Sequence, residues 1–352
     1  MYIIVAIIAF GILIAVHELG HFSAAKLLGV RVNEFAIGMG PKLIKKQGKE
    51  TLYSLRALPL GGFCALEGEN GDSDDSRSFI AQKRWKRIVI LAAGGVANML
   101  LGFIIVVILT SGMESFSGTT ISRFMDDSPN EGADKLIVGD TLVSVNGERL
   151  YYYNDVSLFL ELFKGGKVDL VIKRDGETIR FNQMQLEQKE YIVDGETKMM
   201  YGFIFNRIGA NAWEKLKYSC YSAMNYIRLV RVSLAMLIRG AVGVRELSGP
   251  VGIIGAMNEV GQSSSTFVEA LASIAHFTAI IGINIAVMNL LPIPAMDGGR
   301  IVFIIVTWVI EKVIRRRVDP KYEGYIHSAA MVLLMGLMVL ILVNDVVKIV
   351  NG

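Results

Sequence analysis

The pentapeptide His17-Glu18-Leu19-Gly20-His21 lies inside an apolar run from Tyr2 to Leu28, and this placement constrains the chain more than any other feature. A run of that length crosses a bilayer, which takes roughly 20 helical residues. Ionisable side chains within such a span cost on the order of 2.5–3.5 kcal/mol each on insertion scales, so they rarely sit there idle. Residues four apart on a helix stand one turn above each other. His17 and His21 can therefore aim two imidazoles at one point, with Glu18 in reach of whatever binds there. The pattern is that of a zinc site with a base beside it. Two neutral imidazoles and a third ligand leave a fourth position for water, whose pKa the metal lowers to about 7, and a glutamate can take its proton. A soluble protease of this kind would carry the motif on a helix with a polar back face, and Ile3–Val16 has none. The expected cofactor is Zn2+, and the expected chemistry is peptide hydrolysis within a membrane.

Composition agrees with a mixed architecture. Of 352 residues, 52% are hydrophobic and 20% charged, too apolar for an ordinary soluble protein and too charged for spans alone. The net charge of +3 is small, and its basic residues cluster beside apolar runs. They read as orientation signals, and no nucleic-acid partner is expected. Cys64 and Cys220 lie far apart in unlike contexts and are expected to be free thiols. The N-terminal run lacks a positive leader and exceeds the usual signal length, so it is expected to be retained as a span.

Four stretches are long enough to cross: Tyr2–Ala25, Ile88–Ser111, Phe267–Leu291 and Ala329–Val347. Twelve Lys and Arg residues from Lys26 to Arg87 separate the first two, and Lys312, Arg315, Arg316, Arg317 and Lys321 separate the last two. The positive-inside rule makes both loops cytoplasmic, with the termini and residues 112–266 outside. His21 then lies about 7–8 Å along the helix from Lys26, just below the inner surface.

The third span runs into Asn289-Leu290-Leu291-Pro292-Ile293-Pro294-Ala295-Met296-Asp297-Gly298-Gly299. Two prolines remove helix donors and two glycines permit unusual dihedrals, so the backbone should unwind here, which membranes tolerate only within protein or beside water. Asp297 arrives on the same side as His21. It is chosen as third ligand over His276, nearer the outer side, and over His327, which follows the basic loop. Its bland role is the N-cap of a helix over Gly298–Ile314.

Elsewhere, Arg31–Gly68 alternates in places, and Thr51–Arg56 as a strand with a turn at Gln47-Gly48-Lys49 after Pro41–Lys46 predicts a hairpin whose edge could add a strand to an extended peptide. Gly94, Asn98 and Gly102 recur every four residues on the second span, a small face for close helix packing, and Asn98 should find a backbone partner on a neighbouring span. From Phe116 to about Asn206, turn signals separate short β-rich runs, with helical spacing over Tyr153–Phe163. Ala212–Gly243 mixes apolar and basic residues and is expected to be an interfacial amphipathic helix.

These residues resemble the bacterial site-2 intramembrane metalloproteases, specifically the RseP-type branch that regulates sigma factors. The likeness runs over nearly the whole chain: HELGH, Ile37–Pro41, Pro59–Phe63, Gly94–Asn98, Ser248–Ile253 and Asn289–Gly299. It implies that His17, His21 and Asp297 are zinc ligands, that Glu18 is the general base, and that Asn289, Pro292, Gly61 and Gly62 bind substrate. It also implies a membrane-reentrant β-hairpin on the cytoplasmic side and a PDZ domain, single where the Gram-negative regulator has two, as in the form common in Gram-positive bacteria. Met296 replaces a common leucine, an apolar exchange that leaves the site intact.

The expected fold is thus a polytopic α-helical membrane protein of about four spans with an inserted β-rich, PDZ-like extracytoplasmic domain. Its expected parts are 1–111 and 267–352 as the two halves of the protease core, 112–208 as the PDZ-like domain, and 209–266 as amphipathic helix and connector. The expected function is cleavage of single-span membrane proteins, such as trimmed anti-sigma factors or signal-peptide remnants, in a bacterial plasma membrane after an upstream site-1-type protease has acted. A non-catalytic scaffold holding partner termini is the alternative from another class, and a fourth protein ligand closing the metal site would favour it.

Overall fold

The computed structural model describes residues 2–69, 73–163, 167–193, 195–240, 249–316 and 321–351. Ser248, Arg317 and the stretch 241–243, all invoked above, lie outside the described residues. In chain order the helices are α1 (Tyr2–Leu27), α2 (Arg84–Ser111), α3 (Tyr153–Leu162), α4 (Ala212–Ile238), α5 (Pro250–Gln262), α6 (Phe267–Leu290), α7 (Asp297–Ile314) and α8 (Lys321–Asn351). The strands are β1 (Val32–Gln47), β2 (Leu52–Leu66), β3 (Ser115–Phe124), β4 (Thr141–Val145), β5 (Glu148–Arg149), β6 (Lys167–Arg174), β7 (Glu177–Gln185), β8 (Lys189–Val193), β9 (Glu196–Met200) and β10 (Phe203–Gly209). They form two compact units, one of residues 1–109 with 226–352 and one of residues 110–225.

In the first unit α1, α2, α6 and the segment Gly324–Ile341 of α8 are long and apolar enough to cross a membrane. Ile4, Ile8, Ile104, Ile108 and Val332 stay exposed along them, as lipid-facing side chains do. Small residues set the helix spacing. A methyl on Gly20 of α1 would stand 2.9 Å from Cβ of Ala97 on α2, and one on Gly102 would stand 3.0 Å from the Ala279 carbonyl oxygen on α6. The stripe on α2 is therefore shared between two neighbours. Gly94 faces α1, whereas Gly95 and Gly102 face α6. Asn98 is fully buried between them, yet among the described residues neither polar atom of its side-chain amide has a hydrogen-bond partner, contrary to the expected backbone partner.

The predicted hairpin is far longer than its strand signals. Phe35 pairs with both Cys64 and Tyr53, and Ile37 with both Gly62 and Leu55, so residues 34–37 are flanked on two sides. Each long strand folds back on itself to achieve this. Gly38 and Gly40, at φ +86° and +84°, supply the left-handed backbone at one fold-back, and Gly61 at φ +92° supplies it at the other. Scattered glycines and Pro41 disguised a continuous sheet as separate pieces. Phe22 of α1 packs on Phe35 and Tyr53, ring centroids 5.2 and 6.0 Å away, and this fixes the sheet against the first helix.

Charges hold the same sheet. Burial would push the Glu34 carboxyl up, but hydrogen bonds from Ser54, Arg56 and Lys42 hold it down at about 2. Hydrogen bonds from Lys26 and Arg77 likewise hold Glu50, in the turn, at about 2. Both carboxyls lie below the unfolded value of about 4.3, so their stabilisation is complete above that value and is lost as pH falls through the folded one. Hydrogen-exchange protection of β1 and β2 should accordingly persist at about pH 5 and drop steeply by about pH 2. Protection unchanged at the lower pH would show that these ion pairs do not hold the sheet.

In the second unit a sheet of order β10-β3-β4-β6-β7, with β5 paired to β4, carries a core that includes Ile121, Leu142, Leu170, Ile172, Val156 and Phe159. Helix α3 covers this core, and Asp155 in its first turn accepts hydrogen bonds from the Tyr151 and Tyr152 amides at 2.6 and 3.4 Å. Asp140, fully buried, is bridged by Arg174 through two contacts of 2.8 Å. Residues 212–225, assigned above to the connector, belong to this unit. The cause is aromatic: Tyr218 stacks on Phe116 at 4.2 Å and Tyr221 on Tyr151 at 4.0 Å. That half of α4 thus packs its tyrosines against the unit while Trp213, Leu216 and Met224 stay exposed, an apolar face open to a membrane surface.

Candidate active site

Helix α1 presents His17 and His21 on one face, with Nε2 atoms 3.1 Å apart. Oδ2 of Asp297, the first residue of α7, stands 3.3 Å from each. Three donor atoms so placed fit a tetrahedral zinc ion, whose ligands at about 2.0–2.1 Å lie about 3.4 Å from one another. They are the residues that could hold a metal, and no other such group occurs among the described residues. Asp297 is not a helix cap. Met296 occupies that position without a side-chain hydrogen bond, which leaves the carboxylate for the histidines.

Backbone groups set the imidazoles. Nδ1 of His21 lies 2.8 Å from the Ile90 carbonyl oxygen of α2. Donation there places the proton on Nδ1 and turns the Nε2 lone pair toward the shared point. Gly94, one turn along α2, makes room for both rings. A methyl at Gly94 would stand 2.7 Å from Cε1 of each histidine and would crowd Nε2 of His21 more closely still. We expect Gly94→Ala to lower metal affinity 10–100-fold, as loss of support around a ligand does, with helix content unchanged. Zinc-to-protein stoichiometry after dialysis against a graded chelator checks this, and wild-type retention would dismiss it.

Asp297 is delivered by an irregular link. After α6 ends, the Ile293 amide donates to the Leu291 carbonyl at 2.7 Å and Ala295 adopts φ +74°. Gly298 and Gly299 pack onto the link itself: a methyl on Gly299 would stand 2.7 Å from the Ile293 carbonyl carbon, and one on Gly298 would collide with the Leu291 carbonyl oxygen. His327 of α8 accepts a hydrogen bond from the Ala295 amide at 2.9 Å, so it supports the link and does not join the cluster. His276 is engaged elsewhere, 3.3 Å from the Tyr226 hydroxyl. No sequence signal pointed to the supporting contacts of His327 and Ile90, because they join residues 32 and 69 positions apart.

The three donors open onto a cavity of about 400 Å³ that Glu18, Phe63–Leu66 of β2 and Glu69 also line. Glu69 is held by an ion pair to Arg300, one turn beyond Asp297. Burial, with help from Glu18 and Glu69, pushes the Cys64 thiol up to about 12, so this cysteine is poorly reactive. Of the residues expected to bind substrate, Gly62 lies against the base: a methyl there would stand 3.2 Å from Cγ of Glu18. Gly61 is at the fold-back under the Met39 side chain. Asn289 and Pro292 flank the end of α6 and do not line the cavity.

The chain matches the model of peptidase family M50 over residues 5–337. It is 36% identical over 355 residues to a protein of Clostridium acetobutylicum named "Putative zinc metalloprotease", covering 99% of this chain and 98% of that one. A protein of the same description from Clostridium perfringens is 34% identical over 99% of both chains, and one from Fusobacterium nucleatum is 31% identical over the full length of both.

Proposed function

Since the chain belongs to peptidase family M50, the site-2 proteases, we propose that it hydrolyses peptide bonds within or beside the transmembrane segment of single-span membrane proteins. The enzyme is a zinc metalloprotease of the membrane. His17, His21 and Asp297 hold the metal and Glu18 is the general base, a reading supported chiefly by the triangle of donor atoms that opens on a cavity shared with Glu18.

Zinc, when bound, supplies a water of lowered pKa and polarises a carbonyl oxygen. Glu18 would act as the general base toward the attacking water and pass the proton to the leaving amine. His21, fixed by Ile90, and Asp297, fixed by its link, keep their donors in place as charge shifts. A helix hides its carbonyls, so the substrate must become extended. Residues 62–65 pair with β1 on one side, and Phe63–Leu66 run beside the cavity. Their other edge can receive the substrate as an added strand and hold its backbone by the Glu18 water. Gly61 and Gly62 keep that edge close, while Asn289 and Pro292 steady the far end. In this reading the hairpin re-enters the membrane, and the chain is of the single-PDZ, RseP-type branch. The β-rich unit is its PDZ domain, admitting substrates that an upstream site-1-type protease has shortened, in regulated intramembrane proteolysis.

The site lies near the cytoplasmic face of a bacterial plasma membrane, with the β-rich unit outside, by the charge of the loops. Cys220 is exposed and Cys64 is not. An impermeant maleimide should label Cys220, and not Cys64, in intact cells; labelling of Cys220 only after lysis would reverse the orientation. Cleavage of a panel of single-span peptides by detergent-purified enzyme, with and without a chelator, tests the activity. Cleavage only of soluble unstructured peptides would overturn the substrate class.

A further inference from the structure

Away from the catalytic cavity, a second hollow of about 330 Å³ opens between the start of α2 and the middle of α7. Its walls are apolar: Trp85 and Ile88 on one side, Ile304, Ile305 and Trp308 on the other. Both tryptophans are about half exposed, Trp85 at 54% and Trp308 at 48%. Lys83 and Arg84 line it too. Arg84 pairs with Glu311, and the Lys312 ammonium lies 5.8 Å over the Trp308 ring. Lys83 makes no ion pair among the described residues. Lys83, Arg84 and Lys312 thus stand with one carboxylate, Glu311, around an apolar slot at the start of a spanning helix.

We propose that this groove binds an anionic phospholipid, its acyl chain along Ile88, Ile304 and Ile305 and its phosphate at Lys83 and Arg84. The volume is at the lower end of ligand sites, which run about 300–1,000 Å³. Amphipathic indoles belong at the headgroup level, and basic pockets between helices at that level collect acidic lipid headgroups. Arg84 keeps donors for a phosphate while it holds Glu311, since a guanidinium carries five N–H groups. The uncompensated charge is positive, which selects an anionic over a zwitterionic headgroup. This inference rests on the membrane placement of α2 and not on the protease assignment.

The test uses full-length Trp213→Phe protein, in which Trp85 and Trp308 are the remaining tryptophans, titrated in mixed micelles with brominated phosphatidylglycerol or brominated phosphatidylcholine. Half-quenching is expected at a several-fold lower mole fraction of the anionic lipid, with the gap narrowing in high salt. Lys83→Glu, at an exposed position outside the catalytic cavity, should remove the gap while zinc content stays at the wild-type value. Equal quenching by the two lipids in the parent, or a preference that survives Lys83→Glu, would overturn the proposal. So would loss of the quenching on adding a single-span peptide, which would give the groove to a protein helix instead.

Discussion

Glu18→Gln should bind one zinc per chain and cleave nothing at a measurable rate. The amide matches the carboxylate in size, and Glu18 is absent from the cluster of donor atoms, which comprises His17, His21 and Asp297 alone. The substitution therefore spares the metal and removes the proton acceptor. Loss of a positioned base costs about 10²–10⁴ in rate, and an amide cannot take a proton from water at neutral pH. The two readouts must be taken together. Metal analysis that shows zinc lost along with activity would make Glu18 a ligand, and turnover at the wild-type rate would remove it from the mechanism.

Asp297→Ala should fail differently. It takes one corner from a triangle with sides of 3.1, 3.3 and 3.3 Å, leaving two imidazoles from one helix to hold the ion. Two such ligands bind zinc far more weakly than three, so the purified variant should come out largely metal-free and inactive. Excess zinc should restore little activity, because the carboxylate also fixes the orientation of what remains. The contrast is diagnostic: one variant full and inert, the other empty and inert. Full zinc occupancy in Asp297→Ala would send the search for the third ligand to another residue, and the rest of the mechanism would need rebuilding. His327 would not replace it, since it already accepts the Ala295 amide.

Much of the fold was legible because its strongest determinants are local. Hydrophobic length placed α1, α2 and α6 to within a few residues, since about 20 apolar residues in a row admit few alternatives, whereas α8 begins at Lys321, eight residues before the expected Ala329. Helical spacing over Tyr153–Phe163 marked the helix of the β-rich unit, which the structure has at Tyr153–Leu162. The alternation over Arg31–Gly68 held both strands of the hairpin but not their fold-back, because the pairing partners are interleaved: residues 34–37 find neighbours in both arms of β2. A period-two pattern carries no mark of that. The amphipathic pattern of α4 was read as a membrane-surface helix. The structure leaves Leu216 and Met224 of that pattern exposed, and adds what the pattern did not show: Tyr218 and Tyr221 meet Phe116 and Tyr151, more than sixty positions away in sequence.

The sequence alone determined which chemistry is available. Histidines four apart on one turn of a spanning helix, a glutamate between them, and an aspartate beside a proline-glycine break are covalent facts of order and spacing, and helical geometry converts the first of them directly into a shared direction. Only the tertiary structure decided that the three donors meet. It brings Asp297 across 280 residues to within 3.3 Å of His17 and His21, lets Gly94 admit both rings, and turns His21 with the Ile90 carbonyl. The reason is that close approach depends on the shapes of every helix packed around the site, and shape at that scale is a property of the assembled core, not of any one segment.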